Sequence, residues 1–227
     1  VLKHVYERTN SSKFIDKVYI ATTINDEDLA IVNECGKENM NVFCGSENDV
    51  LDRYFQLAKL IKPDLIVRIT ADCPVIDPNV IDLVIGDHIK KNCDYSSNTL
   101  DIPFPDGQDV EVFTYKSLKI AWEKAKLISE REHVTPFIKL NEKDFKINKV
   151  LSTKDLSNLR WTLDEKEDFE VIKIIFNALY DNDKHFTMED IIALYNKEKK
   201  LFLINQMHTR EEGYRKSLQQ DKLMKEI

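Results

Sequence analysis

The feature that most limits the possible folds is a regular alternation of short apolar runs with amphipathic stretches in the first 91 residues. The apolar runs have the length and β-branched content of strands: KVYIAT (17–22), NVFC (41–44) and LIVRIT (65–70). The stretches with helical periodicity lie at 25–38, 49–61 and 78–91. Strands joined by helices need right-handed crossovers. This order therefore predicts an α/β fold with a mainly parallel central sheet and helices on both faces.

The second half of the chain departs from this rhythm. Two prolines and a glycine in TLDIPFPDGQ (99–108) predict a long loop, and strands are predicted at 109–115 and 145–151. After Thr187 the sequence is helical and highly charged to its end. No linker-like composition divides the sequence, so we expect one domain over 1–227 with a helical extension from about residue 187.

Charge and composition argue against several classes of protein. The formal net charge of −7 does not suit a surface that follows nucleic-acid phosphates. No apolar stretch is long enough to span a membrane, and charges interrupt the first residues, so neither a membrane partner nor a secretory signal is expected. The four cysteines are Cys35, Cys44, Cys73 and Cys93. Their spacing fits neither a CxxC metal pair nor a disulfide framework, which indicates reduced thiols and a cytoplasmic location.

A carboxylate, Asp72, directly follows the third apolar run, in LIVRITADCPVIDP (65–78). In parallel sheets, ligands bind beyond the carboxyl ends of the strands, so this position is the first candidate for a functional residue. An aspartate after a strand also commonly forms a turn with its own backbone. The pattern alone leaves both interpretations open.

Arg68 lies inside the same apolar run, where an unpaired charge would be strongly unfavourable. It must therefore pair either with a carboxylate of the protein or with a phosphate of a ligand. Of these two interpretations, we favour a pair within the protein.

Asp164, in RWTLDEKED (160–168), is a second carboxylate, placed between a short extended segment and a predicted helix. It suits an ordinary helix N-cap, with Glu167 three residues later completing a capping box. Together with Asp72 it also suits a Mg²⁺ site, because this ion prefers one or two carboxylates, water and substrate phosphate oxygens. The residues alone lead to a cytosolic α/β domain with metal-dependent phosphate chemistry as one hypothesis.

Three further residues are pocket candidates with weaker support. Asp109 and Glu111 fall on one face of the strand predicted in FPDGQDVEVF (104–113). His133 follows a predicted helix in SEREHVTPF (129–137), and a purely structural role is the alternative for it. The five glycines are too widely spaced to form a Gly-rich phosphate loop.

Eight segments, taken in order, are similar to those of one enzyme family: VYIATT, VFCGSENDVLDRY, VRITADCPVIDP, DYSSN, FPDGQDVEVF, SEREHVTPF, DLSNLRWTLDEKEDF and EGYRKSL. They resemble the spore-coat polysaccharide biosynthesis branch of the cytidylyltransferases, which is related to the acylneuraminate and 3-deoxy-manno-octulosonate cytidylyltransferases. The resemblance covers nearly the whole chain.

This resemblance implies a Rossmann-like nucleotide-diphosphosugar transferase fold. It also implies transfer of CMP from CTP to an acidic or otherwise unusual sugar, with release of pyrophosphate, for surface polysaccharide. Related enzymes bind Mg²⁺ through two aspartates that correspond to Asp72 and Asp164, which become the predicted catalytic metal ligands. The candidates for substrate binding are then Arg68, Asp109, Glu111 and His133. Related enzymes are commonly dimers, so a homodimer is a further expectation.

The sequence departs from the family pattern in three places. The family begins with a strand and an ARxGSxRLPGK-like loop that holds the triphosphate, and this chain starts after the position of that loop, so we expect it to bind CTP poorly. Cys44 stands where an arginine is common, and Ala71 replaces a usual glycine. Two alternatives stay open: a nucleotide-sugar-dependent glycosyltransferase of the same broad fold, and a catalytically degenerate binding module.

Overall fold

The computed structural model describes residues 1–101, 104–152, 154–181, 185–210 and 212–225. Its strands are β1 (Tyr19–Thr23), β2 (Asn41–Gly45), β3 (Leu65–Arg68), β4 (Tyr95–Ser97), β5 (Glu111–Thr114) and β6 (Ile147–Lys149). The helices of the first half are α1 (Leu2–Asn10), α2 (Leu29–Lys37), α3 (Val50–Ile61), α4 (Pro78–Lys91) and α5 (Tyr115–Lys124). The helices of the second half are α6 (Ile128–His133), α7 (Pro136–Leu140), α8 (Lys166–Leu179), α9 (Met188–Lys197) and α10 (Glu212–Lys225).

The predicted α/β fold class is confirmed, with mixed strand directions. β1 pairs with β2 in parallel, and a second sheet has the order β3-β5-β4-β6. In that sheet β4 and β6 are parallel, whereas β5 runs antiparallel to both β3 and β4. The expectation of a mainly parallel sheet is therefore wrong for β5. This strand returns from a loop, not through a crossover helix, and a loop connection allows the neighbouring strands to be antiparallel.

A cavity of about 850 Å³ lies between β1 and β3. Among the described pairings, β1 bonds only to β2 and β3 only to β5, so each strand presents an edge to this cavity. The cavity is also lined by α1, α3 and α4, and it extends along the chain after β3 to Thr70 and Ala71. It therefore reaches the residue before Asp72.

The helices begin and end largely where the sequence places them. α4 has Pro78 at its first turn, as expected, and the Asp77 carboxylate accepts from the Asn79 N–H at 2.8 Å. Residues 129–137 form the end of α6 and the start of α7, with a tight turn at Val134 between them. No helix within the described ranges combines the length and the apolar character that a membrane crossing requires. All four cysteines are free thiols.

Part of the apolar core fixes the relative position of two segments that are distant in sequence. Val75, on the turn after β3, packs in one buried cluster with Trp161, Val171 and Ile175. Each of these four side chains is fully buried. Their packing holds the chain before α8 against the turn that contains Asp72.

Candidate active site

The first wall of the site is the turn after β3. This turn has a weak bond from the Cys73 N–H to the Thr70 carbonyl at 3.4 Å, and it leaves Asp72 half-buried. The Cys73 side chain is buried, and burial raises the pKa of its thiol well above its usual value. Asp72 is therefore the residue of this turn that presents a charged group toward the second wall.

The second wall forms where the loop before β5 meets the chain before α8. The Asp106 N–H donates to the Leu159 carbonyl at 2.9 Å, and the Trp161 N–H donates to the Asp106 carbonyl at 2.7 Å. Gly107 makes this approach feasible, because its φ is +96° and a Cβ there would lie 2.6 Å from the Trp161 carbonyl oxygen. The two bonds place Asp106 and Arg160 side by side.

Asp72 and Asp164 meet at the junction of these walls. The Thr162 hydroxyl donates to the Asp72 carbonyl at 3.3 Å, and the carboxylates of Asp72 and Asp164 face each other. Partial burial, and then the facing carboxylate of Asp72, raise the pKa of Asp164. The structure thus brings together the two aspartates that the sequence predicted to share an ion.

The interpretation of Asp164 as a helix cap is wrong. The N-cap position of α8 is Glu165, and the Asp168 carboxylate accepts from the N–H groups of Glu165 at 2.9 Å and Asp164 at 3.1 Å. The side chain of Asp164 is about half exposed. Because Asp168 satisfies the helix start, the Asp164 carboxylate is left available to the site.

Two further aspartates and two arginines surround this pair. Arg160 contacts the carboxylates of Asp106 at 2.8 Å, Asp164 at 2.9 Å and Asp168 at 2.7 Å. Arg210 contacts Asp109 and lies 3.6 Å from Asp106. Burial raises the pKa of Asp106, with Asp72 adding to the shift and the two arginines opposing it. We call Asp72, Asp106, Asp109 and Asp164 the carboxylate group of the site.

Asp109 is a third member of the carboxylate group whose pKa is raised. Burial raises its pKa to about 7, although Arg210 acts in the opposite direction. Asp106, Glu111 and Asp72 add to the increase. Three members of the group therefore have raised pKa values, a pattern that is common where carboxylates face a ligand site.

The carboxylate group suits a cation that takes only part of its coordination from the protein. Among the described residues, no three side chains of His, Cys, Asp or Glu are grouped as ligands for a metal ion. Asp72 and Asp164, which face each other, supply two carboxylates, and a Mg²⁺ ion commonly takes its other ligands from water and substrate phosphates.

Comparison with known proteins identifies the family. The sequence matches the cytidylyltransferase family over residues 1–218. The chain belongs to this family. It is 37% identical over 222 residues to an uncharacterised protein of Methanocaldococcus jannaschii, covering 95% of this chain and 87% of that protein. It is 29% identical over 186 residues to the spore coat polysaccharide biosynthesis protein SpsF of Bacillus subtilis, covering 80% of this chain and 75% of that protein.

A solved cytidylyltransferase structure agrees with the fold. The cytidylyltransferase from Leptospira borgpetersenii superposes with a TM-score of 0.85 at 31% identity, covering 92% of this chain and 86% of that one. The resemblance drawn from the motifs is therefore confirmed, together with the nucleotidyltransferase fold that it implied.

In this cytidylyltransferase, Arg68 pairs with a carboxylate of the protein. Glu111 accepts from Arg68 Nη1 at 2.6 Å, from the Tyr95 hydroxyl at 2.6 Å and from the Thr135 hydroxyl at 2.6 Å, and Lys139 Nζ lies 2.9 Å away. Burial alone would raise the pKa of Glu111, but Lys139 and Arg68 outweigh burial and hold that pKa well below its usual range. We call these five residues the Glu111 network.

His133 lies beyond this network, against α10. Its Nε2 is 3.0 Å from the Ser217 hydroxyl, and its ring meets Tyr214 edge-on at 5.2 Å. Burial lowers the pKa of His133. The next residue, Val134, has φ +71° in a turn closed by the Thr135 N–H and the His133 carbonyl at 2.8 Å. A β-branched residue is strained in such a turn, and strain of this kind is concentrated at functional sites.

The predicted candidates thus fall into three places. Asp72, Asp164 and Asp109 belong to the carboxylate group, Arg68 and Glu111 pair in the Glu111 network, and His133 contacts α10. Sequence reasoning missed Arg160, although Arg160, Thr162 and Asp164 alternate along one extended segment and so indicate a shared face. It also missed Arg210, for which no local pattern gives a signal.

Proposed function

We propose that this cytidylyltransferase transfers CMP from CTP to a sugar hydroxyl, with an acidic or otherwise unusual sugar as acceptor, for surface polysaccharide. The placement of Asp164 beside Asp72, fixed by the bond from Thr162 to the Asp72 carbonyl, carries the proposal. Two carboxylates that face each other repel when both are charged, and a bound divalent cation would relieve that repulsion. The relationship to SpsF of Bacillus subtilis supports the link to polysaccharide.

In the proposed reaction, the sugar hydroxyl oxygen forms a bond to the α-phosphorus of CTP, the bond from that phosphorus to the pyrophosphate oxygen breaks, and the hydroxyl proton passes to water. Mg²⁺, when bound, would neutralise negative charge on the phosphate oxygens. The residues that would hold the ion are Asp72 and Asp164. Arg160 keeps Asp164 in place through its contact at 2.9 Å, and Thr162 fixes the backbone at Asp72.

The test is Mg²⁺-dependent CTP binding by calorimetry, followed by pyrophosphate release from CTP with a panel of acidic and neutral sugars. CTP binding by the wild-type chain is expected to be weak, so the titration uses a high CTP concentration. This weak binding should require the metal, and D72N and D164N should each lose that dependence. D181N is the matched control, because Asp181 is an exposed aspartate outside the site, and it should behave as the wild type.

Two outcomes would contradict the proposal. Release of a nucleoside diphosphate from a nucleotide sugar, without pyrophosphate release from CTP, would indicate a glycosyltransferase. CTP binding that is unchanged in D72N and D164N would indicate a binding module in which these aspartates hold no metal.

A further inference from the structure

The described residues of the segment from Asn205 to Asp221 (205–210 and 212–221) contact the second wall of the site at one end and α6 at the other. On the side of α8, Asn205 Nδ2 donates to the Arg160 carbonyl at 3.0 Å and to the Asp168 carboxylate at 2.8 Å. On the side of α6, the Ser217 hydroxyl donates to the Glu132 carboxylate at 2.5 Å, and the Ser129 N–H donates to Asp221 at 3.2 Å. The segment is therefore anchored at both ends.

Arg210 lies between these anchors and turns its guanidinium toward the carboxylate group. It contacts Asp109, lies 3.6 Å from Asp106, and donates to the Phe104 carbonyl at 3.1 Å. Its side chain is only 14% exposed. These contacts hold one loop at three points, at the beginning, middle and end of residues 104–109.

The same loop carries the contact to Asp164. One Asp106 oxygen faces Arg210, and the other accepts from Arg160 Nη1 at 2.8 Å. Arg160 in turn contacts Asp164, whose carboxylate faces that of Asp72. Charges of alternating sign thus connect Arg210, through Asp106 and Arg160, to Asp164, one of the two aspartates proposed as metal ligands.

We infer that Arg210 is a positioning residue for the proposed cytidylyl transfer, because it fixes the loop 104–109 and, through Asp106 and Arg160, the carboxylate of Asp164. The inference rests on the proposed function, since it concerns the same site. Its geometry favours positioning over substrate contact: the guanidinium is engaged by a carboxylate and a backbone carbonyl of the protein.

A positioning role of Arg210 and a purely electrostatic effect of its charge predict opposite changes in the affinity of the site for a cation. Removing a positive charge near the carboxylate group would by itself tighten cation binding. Releasing the loop would weaken it, because residues that orient metal ligands typically contribute about 10–100-fold to metal affinity. The sign of the change in R210Q therefore separates the two explanations.

The experiment measures Mn²⁺ binding to the full chain by electron paramagnetic resonance, with Mn²⁺ as the probe. R210Q should bind Mn²⁺ about tenfold more weakly than the wild type. R210K keeps the charge without the guanidinium fork and should show an intermediate loss. R215Q removes the same charge from an exposed position on α10 and should leave binding unchanged.

A second measurement reports the loop without any metal. Hydrogen exchange at the amides of Asp106 and Trp161 should be at least about tenfold faster in R210Q, because these amides form the two bonds that join the loop 104–109 to the chain before α8. Unchanged exchange, or Mn²⁺ binding in R210Q as tight as in the wild type or tighter, would overturn the inference while leaving the proposed function intact. A wild-type chain that binds no Mn²⁺ would instead refute the metal site, and the role of Arg210 in it would fall for that separate reason.

Discussion

The Glu111 network and the carboxylate group are close together and both rich in charge, yet the pKa of the carboxylate is lowered in the first and the pKa values are raised in the second. Glu111 is almost completely buried and has two cations and two hydroxyl groups around it, so its pKa is lowered. Asp164, Asp106 and Asp109 have raised pKa values, because burial and the neighbouring carboxylates outweigh the two arginines. The first arrangement satisfies a buried charge, whereas the second leaves negative charge for a ligand to neutralise.

This difference indicates that the charges of the Glu111 network stabilise the fold, whereas those of the carboxylate group serve the site. A buried ion pair is strongly unfavourable to break, because the remaining partner stays buried without compensation. Carboxylates held against one another are unfavourable in the folded protein itself, and functional sites commonly keep such groups at the expense of stability. Substitutions in the two regions should therefore change stability in opposite directions.

The largest expected effect is that of E111Q. It leaves Arg68 and Lys139 without their carboxylate, so the free energy of unfolding should fall by about 3–5 kcal/mol in urea denaturation. The lowered pKa of Glu111 also means that its contribution is present above about pH 4.5 and is lost as the pH falls, so the difference between wild type and E111Q should shrink in acid. E123Q, on an exposed helix pair, should change stability by less than about 0.5 kcal/mol. An E111Q protein as stable as E123Q would show that the network is not structural.

The next effect concerns the pH dependence of Asp109. Its raised pKa means that the folded protein binds more protons than the unfolded chain between pH 3.8 and about 7, so this group lowers stability as the pH rises through that window. D109N should reduce the loss of stability between pH 5 and pH 8 by about 1–2 kcal/mol, a value discounted for the partial exposure of the side chain. Urea midpoints of both proteins at the two pH values measure it. If the stability of the wild type and of D109N changed equally between the two pH values, the raised pKa of Asp109 would be contradicted.

The smallest expected effect is a gain from D72N. This change removes the carboxylate that raises the pKa values of Asp106, Asp109 and Asp164, so the protein should be about 0.5–1 kcal/mol more stable at pH 8. Thermal unfolding at low ionic strength, where charge repulsion is least screened, is the appropriate measurement. A loss of stability as large as that of E111Q would show that Asp72 stabilises the fold as Glu111 does, and the two regions would then not differ.

Much of the fold followed from local patterns in the sequence. Apolar runs predicted β1, β2 and β3, and helical periodicity with a proline at the first turn placed α4 at Pro78. The direction of β5 did not follow, because the strand signal in residues 109–115 is the same for either direction. The helix cap before α8 was also misplaced: Asp164 and Glu165 are both acidic, and only the backbone geometry shows that Asp168 bonds to the Glu165 N–H.

The sequence by itself determined most of the elements and the family, and it favoured a protein carboxylate as the partner of Arg68. These depend on local composition and on the high free energy of an unpaired buried charge. Only the tertiary structure decided which charges meet. Thr162 reaches Asp72 across 90 positions and Arg210 reaches Asp109 across 101. Such contacts depend on the packing of Val75 with Trp161 and on the close approach at Gly107, which no local pattern specifies.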